Sequence, residues 1–369
     1  MVAVRGATGA TEIAAGAADD VDEAAGAAFR ISPITVAVAV LVLVGAGAVS
    51  LSSGAAGLPL RGVVSALLDR LAVPGVDSTL TQRQESILFQ IRMPRTVLGM
   101  LVGGALAMAG ASYQGVFRNP LADPYLLGVS AGAGFGASLA LGFGVDIGWG
   151  PFGAVPAAAF VGAVVAVVAS AVIARGGGSS PGTLLLGGIA MAALFSASQT
   201  YVLTRLSEGR AREVMAWLFG QLNTNGWDQV AILGPYVAVC GLVLVALRRH
   251  LDVLRVGDEE ARALGLDPVR SRVAVIAAAS LLTAAAVSVS GLIAFVGLVI
   301  PHVVRLVVSH SYRVVVPLSA ILGGAFLAFV HVGARTVVAP AELPVGVITA
   351  FVGAPFFAVV LWRGGRSLA

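Results

Sequence analysis

The chain is organised by long charge-free intervals separated by short polar or proline-marked breaks. A helix crossing the hydrocarbon of a bilayer needs about 20 predominantly apolar residues. Ten intervals meet or approach that length: 34–52, 96–115, 122–143, 152–174, 183–204, 229–247, 273–290, 291–309, 314–333 and 345–362. The seventh and eighth are contiguous in hydropathy and part only at Ser290 and Gly291. Pro156, Pro301 and Pro355 predict kinked or broken helices, whose freed carbonyls are re-satisfied by neighbouring protein or water. Gly103, Gly104, Ala105 and Ala107 predict close backbone packing along one span. Residues 1–33 contain five carboxylates and no apolar run, so they read as a disordered tail and not as a secretory signal, which opens with a short basic segment. Residues 34–369 read as one all-α integral membrane domain of about ten transmembrane helices.

Composition strengthens this reading. Hydrophobic residues and Gly together make up about 71% of the 369 residues, against roughly 45–50% in a soluble domain, and only 11% are charged. Mean hydropathy is +0.94. So little polar surface would leave a soluble protein with apolar patches far beyond a few hundred Å².

All 23 basic residues are Arg, and the missing Lys excludes a Walker A nucleotide loop and any Schiff-base chemistry within this chain. Cys240 is the single cysteine, which excludes an intrachain disulfide, a zinc knuckle and an iron–sulfur cluster. An even number of spans puts both termini on one side. Placing them in the cytoplasm assigns 14 Arg to the inner segments and nine to the outer ones, six of the 14 in the 248–272 loop. The expected location is the inner (cell) membrane, multi-pass.

Three catalytic patterns are weak in this setting. Gly128-Val129-Ser130-Ala131-Gly132 fits G-x-S-x-G, and an intramembrane serine hydrolase would pair Ser130 with His302 or His331; the motif, however, needs a strand before the serine, and here it lies in an Ala/Gly-rich span. Gly132 to Ala137 fits a loose dinucleotide fingerprint with no βαβ unit around it, and the four His are scattered. An ion-coupled secondary transporter would want an ionisable group buried mid-span, and the cores of these spans hold no carboxylate.

The breaks carry more information. Arg92-Met93-Pro94-Arg95 stands at the outer entrance of the second span, with its two guanidiniums on one face if the helix has already begun, and Arg335 ends the ninth span. They form a positive rim suited either to carboxylates of another protein or to lipid phosphate. In the inner loop, Asp258 fits an N-cap, Glu259 and Glu260 suit a first turn, and Gly265 a stop after Arg262 and Leu264. Such a two-turn helix needs a partner or the membrane domain to hold it, the alternative being a solvated loop.

In order along residues 40–365, these motifs resemble the FecCD-type permeases for iron-siderophore, haem and cobalamin uptake. The resemblance is carried by Arg92-Met93-Pro94-Arg95, Gly103-Gly104-Ala105 through Gln114, Arg118-Asn119-Pro120-Leu121-Ala122-Asp123-Pro124, Leu184-Leu185-Leu186-Gly187-Gly188, Phe295 through His302 with Arg305, and Glu342-Leu343-Pro344-Val345-Gly346. It implies a type II ABC importer permease, not itself an enzyme and without a cofactor of its own. It further implies a second permease subunit, identical or not, two copies of an ATPase subunit that bind ATP–Mg, an extracytoplasmic binding protein, membrane lipid, and no nucleic acid. By the same resemblance Glu259, Glu260, Arg262, Leu264 and Gly265 form the helix that docks on the ATPase, Arg92, Arg95 and Arg335 meet the binding protein, and Asn119, Leu121, Pro181 and Gly182 line the cytoplasmic gate. Pro181-Gly182 departs from the hydroxyl residues usual there. Finally, Gly103-Gly104-Ala105, Pro120 and Pro124 recur 220 residues later as Gly323-Gly324-Ala325, Pro340 and Pro344.

Overall fold

The computed structural model describes residues 31–54, 57–144, 153–176, 181–223 and 226–365, which are helices and connecting turns with no strand among them. The predicted tail lies almost entirely outside the described residues.

Among the described residues fourteen α-helices follow in order: α1 Pro33–Ser52, α2 Leu60–Arg70, α3 Gln82–Ile87, α4 Met93–Phe117, α5 Val129–Phe143, α6 Ala154–Gly176, α7 Pro181–Arg205, α8 Glu208–Leu218, α9 Asp228–Leu254, α10 Asp258–Ala263, α11 Pro268–Ser290, α12 Val296–Val307, α13 Tyr312–Thr336 and α14 Val345–Gly365. A single π-helical turn, Leu88–Arg92, joins α3 to α4. Seven helices are long and apolar enough to cross a bilayer (α1, α3–α4 as one continuous rod, α6, α7, α9, α11 and α13), while α5, α12 and α14 are shorter apolar helices. Each predicted interval thus contains a helix. The 12 residues of α12 rise about 18 Å, short of the roughly 30 Å hydrocarbon core. The predicted 122–143 interval is helical only from Val129, because Pro120 and Pro124 hold the chain in turns before it. The seventh and eighth intervals part where predicted: α11 ends at Ser290, and Gly291 follows at φ 67°.

Helix α4 is the axis of the bundle, packing against α13, α11, α9 and α12. Its closest neighbour is α13. A Cβ on Gly103 would overlap the carbonyl oxygen of Gly323 and crowd Leu327, and a Cβ on Gly323 would overlap that of Gly103 and crowd Ala107. Gly104 lies on Ala320 and Gly324 on Met100. These contacts map onto one another when 220 is added or subtracted, so the recurring triads are the two halves of a local two-fold in which one helix meets the other. A self-complementary crossing accounts for the recurrence of the glycine triads. Similar backbone approaches join Gly110 to Gly297 and Gly132 to Gly162, so the glycine after Ser130 serves packing between α5 and α6.

Four elements were not legible as hydrophobic intervals. Helix α2 buries Val63 and Ala66 and turns Arg61 outward, α3 opens with a Thr81/Gln84 capping box, the π turn precedes α4, and α8 follows Ser207.

The α4–α13 crossing makes a stability prediction. Gly323→Val forces a branched side chain into the Gly103 backbone and should cost about 1–3 kcal/mol, read as a lower midpoint of thermal unfolding and poorer yield of folded protein in detergent. Gly333→Val on the same helix, where an added Cβ meets nothing within 4 Å, should change neither.

Candidate coupling, gate and docking sites

Leu254 ends α9, and a Gly257 at φ 139° turns the chain into α10. Gly257, not Asp258, is the cap residue. The carboxylate of Asp258 is instead taken by two guanidiniums: Arg118 Nη2 donates to Oδ1 at 2.5 Å, Arg272 Nη1 to Oδ2 at 2.8 Å, and Arg272 Nη2 makes a further short contact with Oδ1. The Arg272 hydrogen bonds, then those of Arg118, hold the Asp258 carboxyl below the usual carboxylate range. One acidic side chain therefore ties α10 to the ends of both α4 and α11.

Helix α10 stops where Gly265 predicted. Gly265 N–H donates to the Arg262 carbonyl at 2.9 Å and Leu266 N–H to that of Ala261 at 2.9 Å, a Schellman arrangement with Gly265 at φ 80°. Ala261 is buried and pins the helix, whereas Glu259, Glu260, Arg262 and Gly265 are exposed and Leu264 is 70% exposed. Leu264 is thus an exposed leucine beside a helix that is fixed from below.

Of the predicted gate residues, Asn119 and Leu121 follow the left-handed cap Arg118 (φ 50°), whose Nε donates to the Leu254 carbonyl at 2.6 Å. Asn119 Oδ1 accepts from Leu121 N–H at 2.9 Å, which shapes an exposed turn with Leu121 outward. Pro181 and Gly182 open α7, with Gly182 exposed; Ser180 lies outside the described residues.

At the opposite end, the expectation of three solvent-facing guanidiniums is corrected for Arg92, which is 4% exposed. Its Nη1 donates to the carbonyls of Leu51 (2.8 Å) and Ser52 (3.1 Å), the last turn of α1, where a cation complements the dipole. Arg335 Nη2 donates to the Ser50 carbonyl at 2.9 Å and approaches Ser50 Oγ at 3.3 Å. Arg95 pairs with Glu342 at 3.2 Å, their side chains 22% and 44% exposed. Arg92 closes the π turn and Arg95 lies in the first turn of α4, so the two differ in burial: Arg92 is buried and Arg95 half-buried. Arg92 and Arg335 both hold the end of α1, and Arg95 lies close enough to Arg335 to repel it; their intrachain partners, carbonyls and Glu342, are not visible in the sequence pattern.

The Asp258 clamp predicts a pH response of defined sign. A depressed carboxylate contributes its stability above its ordinary pKa of about 3.9 and loses it as pH falls through the lowered value, so protection factors of residues 258–266 in hydrogen exchange should be flat from pH 8 to 5 and collapse only under more acidic conditions. Asp258→Asn should lower those factors about tenfold at pH 7, roughly 1.4 kcal/mol of local opening, while leaving α4 and α13 protected.

The chain matches the FecCD transport family model over residues 40–363. It is 40% identical over 347 residues to the cobalamin import system permease BtuC of Halobacterium salinarum, covering 85% of this chain and 91% of that one. It is 37% identical over 287 residues to the Fe(3+)-citrate import permease YfmD of Bacillus subtilis (78% and 84%), and 36% identical over 286 residues to the hemin transport permease HmuU of Yersinia pestis (75% and 83%). Among solved structures it resembles a metal-chelate type ABC transporter in an inward-facing conformation, with a TM-score of 0.79 and 28% identity over 90% of this chain and 100% of that one. Neither an intramembrane hydrolase nor an ion-coupled carrier fits these relatives, and the chain belongs to the FecCD transport family as a permease subunit of an ABC importer.

Proposed function

We propose that this permease moves an iron chelate, haem or a corrinoid inward, driven by ATP–Mg that two copies of a partner ATPase bind and hydrolyse. The observation that carries the coupling part is the exposed Leu264 beside α10, fixed from below by Ala261 and by the Asp258 clamp. The cargo class is supported by the relatives, whose names give cobalamin, Fe(3+)-citrate and hemin as what they carry. The absence of Lys, and with it of a Walker A loop, agrees with ATP bound in trans.

In this reading the chain crosses the inner membrane ten times with both termini cytoplasmic, the Arg-rich 248–272 loop inside and the Arg92/Arg95/Arg335 cluster outside. Asn119, Leu121 and Pro181-Gly182 at the start of α7 form the inner gate. A second permease subunit, the same chain or a paralogue, faces the apolar concavity of about 620 Å³ between the end of α8 and α14. The binding protein docks on the outer cluster, where Arg95 is the guanidinium that meets its carboxylates and Arg92 and Arg335 hold α1 in place beneath it.

Two measurements test this. Leu264→Asp changes a side chain that is already mostly in water, so the permease itself should fold normally, within about 0.5 kcal/mol. ATP-driven uptake in proteoliposomes containing the ATPase and binding protein should nevertheless fall at least tenfold, as a carboxylate is buried at the contact; unchanged uptake would move the coupling contact elsewhere, and ATP hydrolysis by the purified permease alone would overturn the trans arrangement.

For docking, Arg95→Glu should weaken binding-protein affinity strongly at low salt and much less at high salt, because rim charges are screened beyond about 8–10 Å. Arg92→Gln should instead lower the unfolding midpoint, since it leaves the Leu51 and Ser52 carbonyls without their donor. Salt-independent affinity that survives Arg95→Glu would assign the cluster to lipid.

A further inference from the structure

At the same end of the bundle as α10 lies a cavity of about 310 Å³ lined by Arg118, Asn119, Arg255, Arg305, His310 and Tyr312. None of the coupling, gate or docking roles uses Arg255, Arg305 or His310. Each guanidinium is held by a distinct device. Arg118 is spent on Asp258 and on the Leu254 carbonyl. Arg255 Nη1 donates to the His310 carbonyl at 3.0 Å, and its guanidinium lies 5.8 Å from the centre of the Tyr312 ring.

Arg305 is set by a buried amide. Gln114 is 1% exposed, and its Nε2 is committed to the carbonyls of Ala122 and Gly297, at 3.3 and 3.1 Å. That leaves Gln114 Oε1 as the acceptor for Arg305 Nη2, in a short contact. Arg305 Nη1 is buried with no hydrogen-bond partner in the chain. A snorkelling arginine places its head in water; this one is held below the surface with a donor to spare.

The nearby carboxylates are engaged elsewhere. Asp252 accepts from Ser311 Oγ at 2.6 Å and from Tyr312 N–H at 2.7 Å and pairs with Arg313, while Asp258 pairs with Arg118 and Arg272. Among the described residues neither Arg255 nor Arg305 has a carboxylate partner. Two guanidiniums without carboxylate partners, one from the cap of α9 and one from α12, meet at a space of molecular size that His310 also lines.

We propose that this cavity binds a phosphate-bearing anion, with Arg255 and Arg305 taking its oxygens. A tetrahedral dianion offers acceptors in several directions and satisfies two forks that approach from different helices, whereas a single planar carboxylate matches one. The volume admits a phosphate monoester or the phosphodiester of a lipid headgroup. The site stands on its own geometry and does not depend on Asn119 acting as a gate.

The test uses the full-length permease. In detergent freed of lipid, or in phosphatidylcholine nanodiscs, inorganic phosphate titrated at constant ionic strength against chloride should raise the unfolding midpoint saturably, and Arg305→Gln and Arg255→Gln should each weaken the apparent affinity at least tenfold. If the phosphate belongs to lipid, the same two variants should instead lose phosphatidylglycerol that the wild type retains in native mass spectrometry. Arg61→Gln on α2 should behave as wild type in both arms. Arg255 is exposed, so its variant keeps the test interpretable should the Arg305 variant fold poorly. No saturable phosphate shift and no selective lipid retention in the wild type, or effects equal in all three variants, would overturn the assignment.

Discussion

Everything in this bundle hangs on how closely α4 and α13 approach. Lipid tails are as apolar as helix surfaces, so burial of apolar area does not draw helices together in a membrane; contact distance does. At Gly103 and Gly323 the two backbones meet with no side chain between them, and the flanking contacts repeat about a local two-fold. Because α4 also packs on α9, α11 and α12, that one crossing sets the position of the helices carrying the other features.

Helix α4 then acts as a stiff connection between the two ends of the molecule. Its 25 residues rise about 37 Å. Near one end Arg95 pairs with Glu342, and the other end supplies Gln114 and the cap Arg118. At the α10 end the planar guanidinium fork reaches two acceptors at once, as Arg272 does with both oxygens of Asp258, whereas Arg92 spans the Leu51 and Ser52 carbonyls from its Nη1 alone. A displacement of α10 passes through Asp258 to α4 and α11 without crossing a flexible segment.

The hydrophobic spans and the Gly265 stop were legible because each rests on a local pattern that the membrane or the backbone enforces. The amphipathic α2 and α8 were not, since short helices at the water interface are polar enough to read as loops; the Thr81-x-x-Gln84 cap was the one local signal before α4. The three outer arginines were found by position, yet their surroundings were not, because the acceptors of Arg92 lie some 40 residues away in α1 and that of Arg95 lies 247 residues away. The π turn that joins α3 to α4 leaves no mark that periodicity reads. Asp258 looked like a cap because sequence shows its neighbours along the chain and not the guanidiniums that fold onto it.

The charge balance at the inner end gives the anion cavity a consequence beyond binding. Asp258 offers one negative charge to Arg118 and Arg272, and Arg255 and Arg305 stand nearby without carboxylates, so the neighbourhood carries excess positive charge. An anion in the cavity lowers that repulsion while touching the wall that Arg118 shares with the Asp258 clamp. Binding free energies are reciprocal: if docking at α10 shifts Arg118 and thereby changes affinity for the anion, the anion must change the energy of docking by the same factor. The membrane-side arginines would then do two things with one arrangement, holding α10 rigidly through Asp258 and setting, through the occupant of the cavity, how strongly that helix is held.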